Sequence, residues 1–265
     1  MIRRPARNCA AARAAFFDLD GTLAPPPSLE LRFVHLLRRR GALRTEHFLR
    51  WLGEAVRLAP RGLWAMRHSN KMYLRGLAVI DRGAPQLFVE RIVPAFFPGA
   101  LERLQWHAER GHRIVILSGT LEFLADCAAL AVKAQLAARG CASSLRVCAT
   151  RLEVSDGRWT GQVLGEPLAG EAKARGVARL AEIEGLALEQ CFAYADRASD
   201  RWLLAAVGHP FAVNPSWRLT RLARANGWPI LQWREKKEPR RLTGKAVGQF
   251  LRQQKARIAK QGSDV

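Results

Sequence analysis

Short apolar runs alternate with helically spaced segments along most of this chain. Five of the runs have the length of buried strands, and most of them end in small or polar residues. Strands of this kind that alternate with helices predict an α/β fold, in which helices cover a mostly parallel sheet. The five runs lie at residues 14–17, 113–117, 191–195, 211–213 and 230–232.

The segment after the first run lacks the alternation that is typical of strands. Residues 25–27 are three prolines, which interrupt regular structure, and Ser28 is a residue type that often caps the start of a helix. Apolar residues then recur at helical spacing from Leu29 to about residue 94. We therefore predict a helical cap inserted at residues 25–94. The second helix in it has an apolar face formed by Phe48, Leu49, Leu52, Val56 and Leu58.

A β-hairpin and a basic tail complete the pattern. Residues 145–154 and 158–163 are strand candidates, and the Ser155-Asp156-Gly157 sequence between them is a turn signal. From residue 234 onward the chain is strongly basic and has few large apolar side chains. We therefore predict an α/β core at residues 13–24 and 95–233 that carries a small β-hairpin flap, with a basic C-terminal tail at residues 234–265.

Composition changes this picture mainly through charge. The chain has 265 residues and a formal net charge of +20, which favours anionic partners such as phosphorylated metabolites or lipid surfaces. An arginine-rich composition without functional meaning is an equally good explanation. The five cysteines are scattered and odd in number, which argues against a disulfide framework or a structural zinc site and fits a cytoplasmic protein.

The sequence also bears on membranes and secretion. No run of about 18 apolar residues occurs, so we expect no transmembrane segment. The alanine-rich stretch near the N-terminus breaks at two aspartates before any cleavage pattern, so we expect no signal peptide. Peripheral contact with anionic lipid through the basic tail remains an open alternative.

Polar side chains follow three of the predicted strands. Asp18 and Asp20 follow the first strand, Ser118 and Thr120 the second, and a pair of acids the third: Asp196 and Asp200. In open α/β sheets, ligands bind beyond the carboxyl ends of the strands. Two carboxylates about 4 Å apart repel by about 4 kcal/mol at an effective dielectric constant near 20, so a cation is needed there.

A lysine and a metal ion are the candidate cations. Lys173 lies near a predicted helix start, after Gly170. Carboxylate oxygens are ligands that suit Mg²⁺. Each residue also has an ordinary structural explanation: an Asp-Gly turn, a serine N-cap, a solvated lysine, or acids at a helix N-terminus. Each explanation is plausible singly, but together they do not account for the whole set.

These groups resemble the four motifs of the haloacid dehalogenase-like (HAD) phosphohydrolase superfamily, in the same order. The motifs here are Phe17-Asp18-Leu19-Asp20-Gly21-Thr22, Ser118-Gly119-Thr120, Lys173 and Asp196-Arg197-Ala198-Ser199-Asp200. The chain is more narrowly similar to the subfamily IB group related to phosphoserine phosphatase. That similarity rests on Phe97-Pro98-Gly99-Ala100, on the hairpin at residues 152–161 and on residues 212–229. The resemblance covers about residues 13–233 and implies a Rossmann-like core.

The resemblance also implies a role for each residue. Asp18 would be the nucleophile that forms an aspartyl-phosphate, and Asp20 would be the general acid and base. Mg²⁺ would be held by the Asp18 carboxylate, the backbone carbonyl of Asp20 and Asp196. The remaining implied residues are the phosphate-binding Ser118, Gly119 and Lys173, and the outer-shell Asp200 and Ser199.

Three functions remain open on the sequence. The leading hypothesis is a Mg²⁺-dependent phosphomonoester hydrolase that acts on a small or lipid-like organic phosphate. The second is a HAD-like scaffold that binds an anionic ligand or nucleic acid without turnover, with nucleic acid the less favoured partner. The third is a phosphotransferase using the same residues.

Two departures from the family pattern concern the fourth motif, where Ala195 replaces a common glycine and Arg197 a small residue.

Overall fold

A seven-stranded sheet forms the centre of the computed structural model, which describes residues 12–58, 60, 71–79, 92–93 and 95–234. The strand order is β4-β3-β2-β1-β5-β6-β7, and every neighbouring pair is parallel except β3 and β4. This confirms the predicted α/β class. The strands are β1 (Ala14–Phe17), β2 (Arg113–Leu121), β3 (Leu145–Ser155), β4 (Arg158–Leu164), β5 (Phe192–Ala195), β6 (His209–Val213) and β7 (Ile230–Leu231).

Helices cover both faces of the sheet. In the described residues they are α1 (Leu29–Arg39), α2 (Thr45–Leu58), α3 (Pro98–Glu109), α4 (Glu122–Ala138), α5 (Glu171–Glu184), α6 (Arg201–Ala205) and α7 (Trp217–Ala225). Buried side chains of α1, α3 and α4 belong to one apolar cluster, and those of α5, α6 and α7 belong to a second. The sheet therefore separates two hydrophobic layers.

Strand β1 contributes to both layers because successive side chains of a strand point to opposite faces. Ala15 and Phe17 lie in the first apolar cluster, and Ala14 and Phe16 lie in the second. All four side chains are fully buried. The strand therefore consists of apolar residues alone, and the first carboxylate, that of Asp18, comes directly after its carboxyl end.

The cap region begins with helix α1, as predicted. The Ser28 hydroxyl accepts a hydrogen bond from the Leu31 amide and caps this helix. The predicted apolar face of α2 is mostly solvent-exposed, since Leu49 is 67% exposed, Leu52 53% and Val56 67%. Helical spacing shows which residues share a face but not whether another element covers it. The division of the chain into core, cap and tail stays a prediction.

The β3–β4 hairpin pairs with a segment of the cap region. Its predicted turn is present, with Asp156 and Gly157 both at positive φ. The Trp159 amide donates to the Leu77 carbonyl (3.0 Å), and the Val79 amide donates to the Gly157 carbonyl (2.9 Å). The hairpin and residues 76–79 are thus joined by backbone hydrogen bonds.

Strand β2 is longer than predicted. The sequence suggested that it ends before Ser118, with a helix starting soon after. Instead β2 continues to Leu121, which pairs with Thr150 of β3 beyond an irregularity in the register. The helix follows as the sequence suggested, with α4 beginning at Glu122. A Ser-Gly-Thr sequence favours a strand end, but pairing with β3 outweighs that local preference here.

Some predictions lie outside the described residues: the basic tail, Cys9 and parts of the cap at residues 61–70 and 80–91. Of the cysteines that the structure describes, all four are free thiols: Cys127, Cys141, Cys148 and Cys191. Among the described helices, none combines the length and hydrophobicity that a membrane span requires.

Candidate active site

The site lies at the carboxyl end of β1. The Asp18 amide donates to the Tyr194 carbonyl of β5 (2.9 Å), which fixes the backbone where the strand ends. The chain then turns tightly, and the Gly21 amide donates to the Ala24 carbonyl (2.7 Å). Asp18 is buried, with 6% of its surface exposed. A buried carboxylate of this kind needs a counter-charge nearby.

Lys173 supplies one counter-charge. Its Nζ lies 2.6 Å from Asp18 Oδ1 and 2.9 Å from Asp200 Oδ1, and all three residues are buried. Burial by itself would lower the pKa of Lys173, but attraction to the two carboxylates raises it above its ordinary value. These contacts favour the charged ammonium, which links the first turn of α5 to the residues that follow β1 and β5.

Asp196 completes a group of three carboxylates with Asp18 and Asp200. Each can offer one oxygen so that the three oxygens lie within 4.8 Å of one another. Burial, and then repulsion from Asp18, raises the pKa of Asp196 to about 7. Asp196 Oδ1 is buried and has no hydrogen-bond partner among the described residues. This oxygen therefore lacks the partner that a buried acceptor requires.

A glycine makes room for Asp196. Gly21 has φ +92°, and a Cβ atom at this position would lie only 2.2 Å from Asp196 Oδ2. A real Cβ never approaches another atom that closely. The absence of a side chain at residue 21 thus permits the tight turn and also lets Asp196 approach Asp18.

Asp20 has a different environment from Asp18. Its Oδ1 accepts a hydrogen bond from the Leu29 amide (2.8 Å) at the start of α1, so it connects the strand end to the cap region. Burial raises the pKa of Asp20 to about 6. A carboxyl group of this pKa exists in both protonation states near neutral pH, which suits acid and base catalysis.

Two of the three predicted phosphate-binding residues, Ser118 and Gly119, lie on β2, and the third, Lys173, lies on α5. Ser118 is buried, and its Oγ accepts a hydrogen bond from the Thr120 amide (3.2 Å). The Gly119 carbonyl accepts one from the Thr150 hydroxyl (2.9 Å). These residues belong to the extended strand, whereas the sequence placed them just after its end. Thr120 Oγ1 is buried without a hydrogen-bond partner in the described part of the chain.

Two residues of the fourth motif lie at the surface. Ser199, predicted for the outer shell, is exposed, and so is Arg197. The Arg197 Nε atom lies 3.8 Å from Asp196 Oδ2, and its side chain is 70% exposed. The geometry therefore brings together Asp18, Lys173, Asp196 and Asp200, with Arg197 at the rim.

Two supporting residues were not among the predicted site residues. The Thr22 hydroxyl lies 3.5 Å from Asp18 Oδ2, to which it donates. Asn214, after β6, donates through Nδ2 to the Gly21 carbonyl (3.4 Å) and accepts from the Trp233 amide (2.8 Å). Thr22 belonged to the first motif and Asn214 to the segment at residues 212–229 that carries the family resemblance, but neither had been assigned a role in the site.

A second buried ionic cluster was also missed. Glu30, in the first turn of α1, accepts hydrogen bonds from the Lys71 ammonium and the Tyr73 hydroxyl. Lys71 and Tyr73 are both buried. The negative charge of Glu30 raises the pKa of Asp20, although less than burial does. Because Lys71 comes 41 residues after Glu30, the sequence carried no indication of this pairing.

The donor set fits a metal ion. Three buried carboxylates face one ammonium, so their mutual repulsion is only partly offset, and Asp196 Oδ1 has no hydrogen-bond partner among the described residues. Oxygen ligands of this kind suit hard cations such as Mg²⁺. Asp18, Asp196 and Asp200 could hold such an ion, although Asp200 also pairs with Lys173.

Comparison with known proteins bears directly on this arrangement. Residues 15–205 match the model of the haloacid dehalogenase-like hydrolase family. The chain belongs to this family. Within the HAD family it is related to phosphoserine phosphatases. It is 33% identical to phosphoserine phosphatase SerB1 of Mycobacterium tuberculosis in an alignment of 236 residues, and the match covers 83% of this chain and 71% of that protein. A probable phosphatase of the same organism is 32% identical, with 84% and 76% covered.

Solved structures share the HAD fold. A protein of unknown function from Bordetella pertussis superimposes with a TM-score of 0.66 at 27% identity, covering 83% of this chain and 98% of that one. A phosphoserine phosphatase in its apo form gives a TM-score of 0.56 at 22% identity, covering 84% and 94%. At 22% identity, the similarity to this phosphoserine phosphatase structure shows a shared fold only. The resemblance predicted from the sequence is confirmed.

Proposed function

We propose that the protein is a Mg²⁺-dependent phosphomonoester hydrolase that acts through an aspartyl-phosphate on a small or lipid-like organic phosphate. The observation that carries this proposal is the buried contact of Lys173 with Asp18 and Asp200, with Asp196 beside them. Two of its relatives in Mycobacterium tuberculosis are named as phosphatases, which supports the proposal.

Asp18 is the proposed nucleophile. One of its carboxylate oxygens attacks the phosphorus atom, and the bond between phosphorus and the leaving oxygen breaks. Lys173 orients the Asp18 carboxylate through Oδ1, and the Thr22 hydroxyl lies near Oδ2. Together with Ser118 and Gly119, Lys173 also binds the phosphoryl oxygens in this proposal.

Asp20 is the proposed general acid and base. In the first step it gives its proton to the leaving oxygen, so that the product leaves as an alcohol. In the second step it takes a proton from the water that attacks the aspartyl-phosphate, which releases inorganic phosphate and restores Asp18. The hydrogen bond from the Leu29 amide holds the Asp20 carboxyl group in place.

The proposed metal site consists of the Asp18 carboxylate, the Asp20 backbone carbonyl and Asp196, with Asp200 close by. A bound Mg²⁺ would supply positive charge that stabilises the phosphoryl group in the transition state. Within the described part of the chain, Asp196 Oδ1 is a buried oxygen without a hydrogen-bond partner, which supports its assignment as a ligand. Ser199 is exposed, so we do not extend the outer-shell role to its side chain.

Phosphate release from p-nitrophenyl phosphate tests this proposal. We expect release to require Mg²⁺ and to fall by at least about 10³-fold in Asp18→Asn, because the variant lacks the attacking carboxylate. The matched control is Asp156→Asn in the exposed hairpin turn, which makes the same chemical change away from the site. Full turnover in Asp18→Asn, or equal rates after exhaustive chelation of divalent ions, would contradict the mechanism.

A further inference from the structure

Two adjoining clefts open beside Asp196 on the side of the fourth motif. The first has a volume of about 470 Å³ and is lined by Asp196, Arg197, Asn214 and neighbouring residues. The second has a volume of about 600 Å³ and is lined largely by α7. The clefts share Ala198, Ser199 and Arg218, so they form one continuous depression that reaches Asp196. We refer to it as the arginine cleft.

The arginine cleft is strongly basic. Its lining residues include one carboxylate, Asp196. They also include five exposed arginines: Arg197, Arg201, Arg218, Arg221 and Arg234. Of these, Arg197 is the one that the described residues pair with a carboxylate, at 3.8 Å from Asp196. Like charges gathered in a concave surface raise the local positive potential, which attracts anions.

One wall of the arginine cleft is flat and apolar. Trp217 at the start of α7 is 65% exposed, and the Arg218 guanidinium lies 5.2 Å from the centre of its ring. Leu222 and Ala225 continue this wall along the helix. An exposed tryptophan beside guanidinium groups offers a surface for the hydrocarbon or ring portion of a ligand, with donors for its anionic group nearby.

We propose that the arginine cleft binds a second phosphate group of the substrate, so that the preferred substrates are organic phosphates with two phosphate groups. This proposal rests on the proposed function, since it assumes that the first phosphate reaches Asp18. Asp196 belongs both to the carboxylate group and to the cleft lining, so the cleft adjoins the carboxylate group. The distal phosphate contacts Arg218, which lies where the two clefts meet, and the connecting portion lies against Trp217.

Guanidinium groups suit this role better than other donors. Their planar fork matches two oxygens of a phosphate group, and the charge-assisted hydrogen bonds are about twice as strong as neutral ones. The distal group can be a free phosphate or the phosphodiester of a lipid headgroup, because both present the same anionic oxygens. A monophosphate leaves the arginines without this partner.

Kinetics on matched substrates test the proposal. The substrates are α,ω-diol bisphosphates of increasing chain length and the monophosphates of the same diols. At the best chain length we expect kcat/KM for the bisphosphate to exceed that for the monophosphate by about tenfold, which is the effect of one charge-assisted contact. The absence of an advantage at every length, both for soluble substrates and for substrates embedded in vesicles, in an enzyme that hydrolyses the monophosphates, would overturn the proposal and leave the proposed function intact.

Variants assign the advantage to the cleft. Arg218→Ala is expected to reduce the ratio of the two kcat/KM values to near one, and Arg218→Lys to retain part of it, since the charge remains without the fork. The matched control is Arg224→Ala, which removes the same charge from an exposed position of α7 outside the cleft. An equal ratio in Arg218→Ala and Arg224→Ala would overturn the assignment.

Two further measurements separate the remaining possibilities. Calorimetry measures the affinity of Asp18→Asn and of Asp18→Asn/Arg218→Ala for the same bisphosphates without turnover. A lower affinity of the double variant shows binding at the cleft even if the proposed chemistry is wrong, and equal affinities show that the cleft does not bind the distal phosphate. Bisphosphates with a long alkyl chain on the distal phosphate, embedded in phosphatidylcholine vesicles, test the lipid source. An Arg218-dependent advantage in solution, on vesicles or in both supports the proposal, and its absence from both overturns it.

Discussion

At the scale of single residues, Gly21 controls how closely two carboxylates approach. Its positive φ permits the turn after β1, and its missing side chain leaves the space next to Asp196 Oδ2. These two requirements are separable, because other glycines of the chain share the conformation without the close contact. Gly111, for example, has φ +66° and no neighbouring atom within 4 Å of the position of a Cβ.

Gly21→Ala is therefore expected to weaken the proposed metal site. The added methyl group would displace the Asp196 carboxylate, so we expect the Mg²⁺ concentration that gives half-maximal activity to rise by about 10–100-fold, as found when metal-ligand supports are removed. Titration of phosphatase activity with Mg²⁺ measures this shift. The control Gly111→Ala carries similar backbone strain without the clash, so equal shifts in the two variants would refute this explanation.

The sequence predicted the candidate site well wherever the chemistry was carried by a local motif. Asp18 and Asp20 follow a buried strand, and Asp196 and Asp200 follow another, so their meeting at one sheet edge was predictable. The partners of Glu30 and Gly21 were not predictable, because Lys71 and Asn214 become neighbours only through tertiary packing. The arginine cleft was likewise hidden in a general excess of positive charge.

At the scale of elements, a buried histidine connects helix α3 to the sheet. His107 lies fully buried on α3, and its Nε2 is 2.9 Å from the Tyr194 hydroxyl of β5. Its Nδ1 lies 2.8 Å from Nδ1 of His112, so both ring nitrogens have hydrogen-bond partners. Burial, followed by repulsion from His112 and nearby arginines, lowers the pKa of His107 to about 3.

This histidine makes folding stability depend on pH. The unfolded chain binds a proton at His107 below about pH 6.5, whereas the folded protein does not do so until about pH 3, so stability falls as pH decreases through that window. From pH 7 to pH 5 the wild type is expected to lose about 2 kcal/mol more than His107→Gln. Urea unfolding at the two pH values measures the difference. Equal losses in both proteins would show that His107 is not the group responsible.

Element boundaries were predictable where a cap or turn residue defines them. Ser28 before α1 and the Asp156-Gly157 turn between β3 and β4 are examples, since both act through local backbone hydrogen bonds or φ values. The end of β2 was misjudged, because pairing of Leu121 with β3 is not visible in the local sequence. The exposure of Leu49, Leu52 and Val56 on α2 was missed for the same reason.

At the scale of the whole molecule, the net charge of +20 affects how anionic substrates arrive. A long-range positive potential increases the rate of encounter, and salt screens it. Raising the ionic strength from about 0.02 M to about 0.5 M shortens the screening length from about 20 Å to about 4 Å. Salt therefore affects the rate at which substrate and protein meet more than the rate of the chemical step, which takes place among buried groups.

We therefore expect kcat/KM for a phosphomonoester to fall by about tenfold over that range of ionic strength, while kcat changes much less. Steady-state kinetics at several concentrations of potassium chloride measure both constants. If kcat/KM stays constant, the excess of arginine has no role in substrate capture, and the compositional explanation of the charge is then preferred.

The architecture was predictable at this scale because alternating strands and helices restrict the arrangements that bury both faces of a sheet. The sequence alone did not give the strand order, in which β1 lies between β2 and β5. This order matters for the site because it brings Asp18 next to residues that follow much later in the chain.

The central position of β1 has a consequence for biosynthesis. Ala15 pairs with Ile114 on one side and with Phe192 on the other, so a growing chain presents this apolar strand long before either neighbour has left the ribosome. Unpaired apolar strands are templates for aggregation, and pairings between distant residues form slowly. The strand that precedes Asp18 is thus exposed to aggregation during synthesis, and the site cannot assemble until almost the whole core has been translated.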